Sequence, residues 1–491
     1  MVITNQPQRI SKHTLLLFSS ALLLGYDANQ QVDKVWFGQR CIYLNDRTST
    51  PDRNCKEDGK STRKSPRKSP RKSPHDRKST RKSPHDRKKK RERFYRDTIY
   101  RDPIYGLIDL SEFDADVQKL IQTPHFQRLR RIKQNGMCVF VQGLNHTRYE
   151  HSIGVCWLAK RQLDYLHKKH ERLYSLEQWK EFSKLVQIAA LFHDAGHGPL
   201  SHVFEEIMKP WEHWEHENMS VKMLNHALKT IDPELSEPQI LKIQYMIEGN
   251  EKLHEKWLLS IVSNPDGGPD CDRLDYEMRD SFHAGHPNPL KFTDVDNLLK
   301  SAKIVDGVLC YPQEQLPFLH YLQNFRKEMH ENIYQTEEVK AAECMLMRVF
   351  TLVGGFMNFR NIVNSCELFC EFNDSILDEI MKCTEHDVTA ANIDNLNAAK
   401  RLIRRLRAGD LYKCLRTQIN TSEKLQPFDG IMKRTIKCST GQPGSIVYLL
   451  TPDGNNKYPE KLPYRVYETT CIVFCDDVVS EFVHSKVDIH K

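Results

Sequence analysis

A mainly α-helical body with a smaller α+β lobe at its C-terminal end, preceded by a disordered basic arm, is the architecture predicted by this 491-residue sequence. Three observations carry that reading. Apolar residues recur at three- and four-residue spacing through most of the chain after Arg93, the signature of packed helices. After Leu406 the pattern changes to short apolar runs between turns, YLLTPDG, YRVYETTCIVF and VVSEFVHSKVDI, which read as strands. Before Arg93, the stretch Lys60–Arg93 holds 17 Lys or Arg against 3 Asp or Glu and has no apolar residue except proline with which to build a core.

Taken in order, residues 1–58 form an N-terminal segment to which the pattern assigns no fold. Thr14–Leu24, TLLLFSSALLL, has the composition of a signal-peptide core. No small-x-small cleavage site follows, and the run is too short to span a bilayer, so neither secretion nor a membrane span is the reading adopted. Residues 59–92 repeat Arg-Lys-Ser-Pro, with Ser65, Ser69, Ser73 and Ser83 each before proline, and close on Lys88-Lys89-Lys90-Arg91. This arm reads as a nuclear-import signal, with the cytoplasm as the alternative compartment, and as a source of weak, non-specific contact with nucleic acid. Its Ser-Pro sites also suit proline-directed kinases, whose phosphates would cancel part of its charge. The chain as a whole is +7 and Lys60–Arg93 alone is +14, so the remainder is acidic at −7. Fourteen cysteines are scattered without a Cys-x-x-Cys pair, which fits reduced thiols in a cytosolic or nuclear protein.

Residues 93–360 form the helical domain and residues 361–491 a helical and α+β lobe. Helical periodicity runs through LRRIKQ, then from Trp157 to Phe192, then from Leu319 to Met357. The centre of the domain is Val186–Ser201, VQIAALFHDAGHGPLS. Ile188 to Phe192 are all apolar, so this helix is expected to be buried and to carry His193 and Asp194 inward, where both need partners. Gly196 and Gly198 are expected to let the backbone turn sharply beside them. Other His-Asp pairs, at His75, His85 and His386, lie in polar surroundings and read as solvated or capping pairs. Upstream, HTRYEHSIGV supplies His151, and downstream DCDRLDYEMRD supplies Asp272. His151, His193, Asp194 and Asp272 offer two nitrogens and two carboxylates, a mixed set that suits Mn, Fe, Mg or Zn with positions left open for water.

These strings, together with DPIYGLIDL, TPHFQRLRRIKQ and FHDAGHGPLSH, resemble the HD-domain phosphohydrolases and, within them, the SAM-and-HD-domain dNTP triphosphohydrolases. The resemblance covers Ile99 to Phe350 and fades beyond; no SAM domain of ordinary length is evident before it. It implies a helical HD core and metal-dependent hydrolysis of dNTPs to deoxynucleoside and triphosphate, with control of dNTP pools. Zn, Fe or Mn would occupy the HD site, and Mg would accompany the nucleotide. The resemblance gives proton delivery to His202, supported by Glu205, where the family usually has Asp, and by His216. Phosphate contacts fall to Arg148, His197, Arg273 (usually Lys), Arg326 and His330. Gln134 and Asp280 match positions that bind the 3′ hydroxyl, and Tyr276 matches the ring under the deoxyribose. Arg326, His330 and Tyr334, spaced by four, would share one helix face. Asn135 replaces a Leu near the base.

The resemblance further implies a homo-oligomer, dimer or tetramer, activated by GTP or dGTP between subunits. Gln122, Thr98, Glu337 and Gly409 stand where charged residues of the family meet that activator. Loss of a carboxylate at Gln122 and reversal of charge at Glu337 both oppose guanine-nucleotide binding. Two other functions fit the sequence: an HD-type nuclease or phosphodiesterase relying on the basic arm, and a nucleic-acid-binding scaffold that retains the fold.

Overall fold

A computed structural model describes residues 34–37, 40–43, 98–208, 214–417 and 431–474. The apolar run Thr14–Leu24, the basic arm and VVSEFVHSKVDI lie outside the described residues. Within them the chain is mostly helical with small sheets, the class that the periodicity predicts. No helix among them is long and apolar enough to cross a membrane.

Among the described helices are α1 (Ala115–Ile121), α2 (Arg148–Lys169), α3 (Leu176–Phe192), α4 (His202–Met208), α5 (His216–Ile231), α6 (Cys271–His283), α7 (Leu316–Met329), α8 (Glu337–Met357) and α9 (Ile393–Ala408). The periodic stretch from Trp157 to Phe192 is not one helix. It divides between α2 and α3 because Ser175 caps α3, its side chain accepting from Gln178 N while Gln178 answers in a capping box. The stretch from Leu319 to Met357 divides likewise. α7 widens into a π-helical turn at His330–Tyr334, and Thr336 then caps α8 by accepting from Val339 N. Helix α3 packs along α2, and α8 along α9. Between the helices, the ring of Phe204 meets Trp214, Phe350, Phe359 and Phe372 edge-on, which ties α4 to α8 and to the segment after it.

Four small sheets complete the described fold. β1 (Lys34–Phe37) pairs with β2 (Arg40–Tyr43), and β3 (Ile99–Asp102) with β4 (Gly106–Asp109), both antiparallel. β5 (Lys303–Val305), β6 (Val308–Tyr311), β9 (Ile446–Leu450) and β10 (Lys457–Lys461) form a sheet of order β10-β9-β6-β5. β7 (Lys413–Thr417), β8 (Ile431–Ser439) and β11 (Val466–Phe474) form another, of order β7-β11-β8. Strands therefore occur where YLLTPDG and YRVYETTCIVF predict them. The four-stranded sheet joins distant segments: β6 and β9 run parallel, with Cys310 beside Tyr448 and Tyr311 beside Leu449.

Candidate active site

Helix α3 carries His193 and Asp194 out of a stretch, Ile188 to Phe192, that is wholly removed from solvent. The His193 Nδ1 lies 2.8 Å from the Ala190 carbonyl, which can only accept, so Nδ1 carries the proton and Nε2 presents a lone pair. His151, in the first turn of α2, is set the same way: its Nδ1 lies 2.8 Å from Asp275 Oδ2. The two Nε2 atoms then face each other at 3.2 Å. Asp272 Oδ1 stands 3.0 Å from one and 3.3 Å from the other, and Asp194 Oδ2 stands 3.4 and 3.6 Å from them.

Lone pairs and carboxylates converging in this way repel one another unless a positive charge lies among them. Burial opposes protonation of His151, yet Asp272 and Asp275 outweigh it and raise its pKa to about 10. The cluster thus has a place for one cation, a proton or a metal ion. Two imidazole nitrogens with fixed tautomers and two carboxylates fit a divalent metal, and the Asp272 side chain, 37% exposed, leaves one side open to solvent.

Several supporting residues escape a sequence reading. Asp275 is held at both oxygens by Arg279, each at 2.9 Å, and by the Tyr105 hydroxyl at 2.7 Å; Arg279 also reaches Asp102 at 2.9 Å. Gly154 on α2 lies so close that a methyl group there would overlap both Asp275 and Arg279. Arg128, fully buried, donates to the carbonyls of Phe372, Ala195 and His197 and so braces the loop after His193-Asp194. The only sequence sign of Asp275 and Arg279 is their spacing from Asp272 and from each other, which puts them on adjoining turns of α6.

The backbone does turn at Gly196 and Gly198, with His197 N donating to the Asp194 carbonyl at 3.2 Å and Ser201 N to the Gly198 carbonyl at 3.0 Å. Gly196 and Gly198 are required for close approach, since a side chain there would overlap the His216 carbonyl or the Phe204 ring. Left-handed backbone follows at Leu200 and Ser201, at φ 57° and 58°, which are strained positions for side-chain-bearing residues. Asp374 holds this turn by accepting from Leu200 N at 2.7 Å, and Ser201 Oγ donates to the Lys133 carbonyl at 2.7 Å. His202 follows directly and opens α4.

Around the cluster stand the other predicted residues. Arg148 pairs with Asp194 through Nη1, with Ser201 Oγ at 2.8 Å and with the Gln134 carbonyl at 3.2 Å, so its guanidinium orients Asp194. His197 Nε2 lies 3.3 Å from Asp194 Oδ1; burial, with Arg148 and His216 nearby, holds its pKa well below the ordinary range and keeps it neutral. Glu205 Oε2 lies 2.9 Å from His216 Nδ1 and 3.5 Å from His202 Nδ1. Burial opposes ionisation of Glu205, but the two imidazoles outweigh it and keep the carboxylate charged. The His197 and His216 rings stack at 3.9 Å, and the His202 side chain, 71% exposed, stands at the open rim.

Arg273, Tyr276 and Arg326 line a cavity of about 200 Å³ together with Asp270, Asp272, Gly441 and Gln442. Asp280 is buried, with His146 Nε2 at 2.6 Å and the Tyr334 hydroxyl at 2.7 Å on its two oxygens; His146 is a residue that sequence reasoning missed. Gln134 is buried, and its Oε1 has no hydrogen-bond partner among the described residues. Burial, with Arg326 and Lys340 nearby, lowers the His330 pKa to about 3. The single helix face expected for Arg326, His330 and Tyr334 is interrupted. The π-helical turn begins at His330, Arg326 donates to Ser439, and Tyr334 turns to Asp280.

Comparison with known proteins places an HD domain at residues 148–280, the span from Arg148 to Asp280. The deoxynucleoside triphosphate triphosphohydrolase SAMHD1 homolog of Dictyostelium discoideum is 29% identical over 389 residues, covering 76% of this chain and 72% of that protein. The deoxynucleoside triphosphate triphosphohydrolase SAMHD1 of Bos taurus is 31% identical over 357 residues, 64% of this chain and 58% of that protein. A putative HD domain-containing protein of Acanthamoeba polyphaga mimivirus is 30% identical over 297 residues, 57% of this chain and 63% of that protein. The chain thus spans less than two thirds of the bovine and viral proteins it matches.

Proposed function

We propose that this chain, an HD-domain protein homologous to the SAMHD1 triphosphohydrolases, is a metal-dependent dNTP triphosphohydrolase that releases deoxynucleoside and inorganic triphosphate. The observation that carries this reading is the adjacency of two groups: four converging metal donors, and a His-Glu-His relay joined to them through His197. His151, His193, Asp194 and Asp272 would hold the metal, which when bound supplies Lewis acidity and water activated at neutral pH. His202, exposed at the rim, hands a proton to the leaving 5′ oxygen, and Glu205, 3.5 Å from its Nδ1, orients the ring. Arg273 and Arg326 neutralise the polyphosphate. Asp280, oriented by His146 and Tyr334, takes the 3′ hydroxyl with Gln134, and Tyr276 leaves no room for a 2′ hydroxyl.

The same reading includes a homo-oligomer, a role in dNTP pools, nuclear import through Lys88–Arg93, and loss of guanine-nucleotide activation. Gly409 has a purpose of its own that an arginine would serve poorly, ending α9 at φ 72°.

The test is triphosphate release from each dNTP by the full chain, in Mg and in Mn, with and without GTP. Release without GTP, abolished in Asp194→Asn, is the expected result. Release only with GTP would overturn the loss of activation. No release from folded, metal-loaded protein would overturn the activity.

A further inference from the structure

Arg273 lines the cavity beside Asp272, yet each nitrogen of its guanidinium donates to a protein acceptor. Its Nε donates to Glu277 Oε1 at 2.9 Å, its Nη2 to the Leu322 carbonyl at 2.9 Å, and its Nη1 to Gln323 Oε1 at 3.4 Å. Glu277 has no solvent exposure, and its second oxygen has no hydrogen-bond partner among the described residues. Burial raises its pKa, while Arg273 and Arg326 oppose the rise. Gln323 is also buried, and Gly441 from the C-terminal lobe lies against it so closely that a Cβ there would come within 2.6 Å of the same Oε1 that Arg273 meets. Protein groups thus hold the guanidinium away from the cavity it lines, and the Glu277 carboxylate subtracts charge from the cations that face that cavity.

We propose that Glu277, one turn along α6 from Arg273, is a positioning residue that sets polyphosphate affinity by holding Arg273 docked against the helix. This rests on the substrate reading above. A polyphosphate entering the cavity competes with Glu277 for the same N–H groups, so part of its binding energy goes into drawing Arg273 away. Glu277 in return satisfies an arginine that would otherwise be buried and unpaired when the cavity holds no ligand. Affinity is thus given up for a ligand-free state that stays ordered.

Two signatures follow from Glu277→Gln, which keeps the shape and removes the charge. Inorganic triphosphate, titrated calorimetrically into the full metal-loaded chain, should bind about tenfold more tightly, with KM for dNTP falling in step and kcat little changed. The ligand-free variant should melt below the native protein, and triphosphate should raise its Tm by more than it raises that of the native chain. Gln323→Leu removes a weaker tether and should shift triphosphate affinity the same way by less, so the proposal stays testable if Glu277→Gln does not fold. Unchanged or weaker triphosphate binding in the folded variants, or no triphosphate binding by any form, would overturn it. Because binding is read with inorganic triphosphate, absence of dNTP turnover would remove the proposed activity while leaving this comparison intact.

Discussion

His151 and Asp275 are joined by a hydrogen bond of 2.8 Å from Nδ1 to Oδ2, and both are wholly buried. That bond decides which nitrogen of His151 faces His193, Asp194 and Asp272. Asp275→Asn offers its amide or its carbonyl with equal ease and carries no charge to strengthen the imidazole as a ligand. Metal affinity should fall about 10- to 100-fold, as measured by metal content after dialysis against a graded chelator. Retention of full metal content by the folded variant would show that Asp275 serves packing alone.

Gly154 gives an independent handle on the same network. A methyl group at this position overlaps the carboxylate of Asp275 and the guanidinium of Arg279, neither of which has solvent to retreat into. Gly154→Ala should destabilise the protein by about 1–3 kcal/mol in denaturant titration, although alanine is the better helix former. A gain in stability would mean that α2 and α6 can separate at this point.

Glu205 stands between His202 and His216 and remains charged despite burial. Removing that charge leaves the His202 and His216 rings without the carboxylate that orients both. Glu205→Gln should lower kcat roughly 100-fold with little change in KM, whereas Glu205→Asp should retain part of the rate. Equal kcat in all three forms would exclude the relay.

A pH dependence of stability resides away from the site. His125 Nε2 lies 2.7 Å from His226 Nδ1, and His226 Nε2 lies 3.0 Å from Glu367 Oε1. Burial first, then His226, lower the His125 pKa from 6.5 to about 4, with Glu367 acting in the other direction. On acidification from 6.5 toward 4 the unfolded chain takes up this proton before the folded one, so stability is lost across that window as pH falls. His125→Gln should flatten the decline, as read from Tm at steps of pH; parallel curves would refute the assignment.

What the sequence discloses and what it hides divide along a physical line. His151, His193, Asp194 and Asp272 could be named because each sits in a dense string of unusual residue types beside an apolar run. Asp275 and Arg279 could not, because carboxylates and arginines in a charge-rich helix are ordinarily solvated and the packing of α2 on α6 buries them; Asp102 could not, because it reaches Arg279 from the distant strand β3. The parking of Arg273 is hidden for the same reason, since Leu322, Gln323 and Gly441 meet it from other parts of the chain. Helix breaks at Ser175 and Thr336 are local capping events that periodicity passes over. The change to strands after Leu406 was legible, but pairing partners were not, because register depends on contacts far apart in sequence.

The parallel pairing of β6 with β9 bears on how this protein can be cut. A fragment ending where helical periodicity ends, near Leu406, would take away β9 and β10 and leave β6 with a bare row of amide and carbonyl groups, a template for sticking to other chains. It would also remove Gly441 and Gln442 from the cavity wall. A fragment that keeps both the four-stranded sheet and the cavity wall must therefore carry the chain through at least Lys461, and shorter expression fragments should be recovered as aggregates.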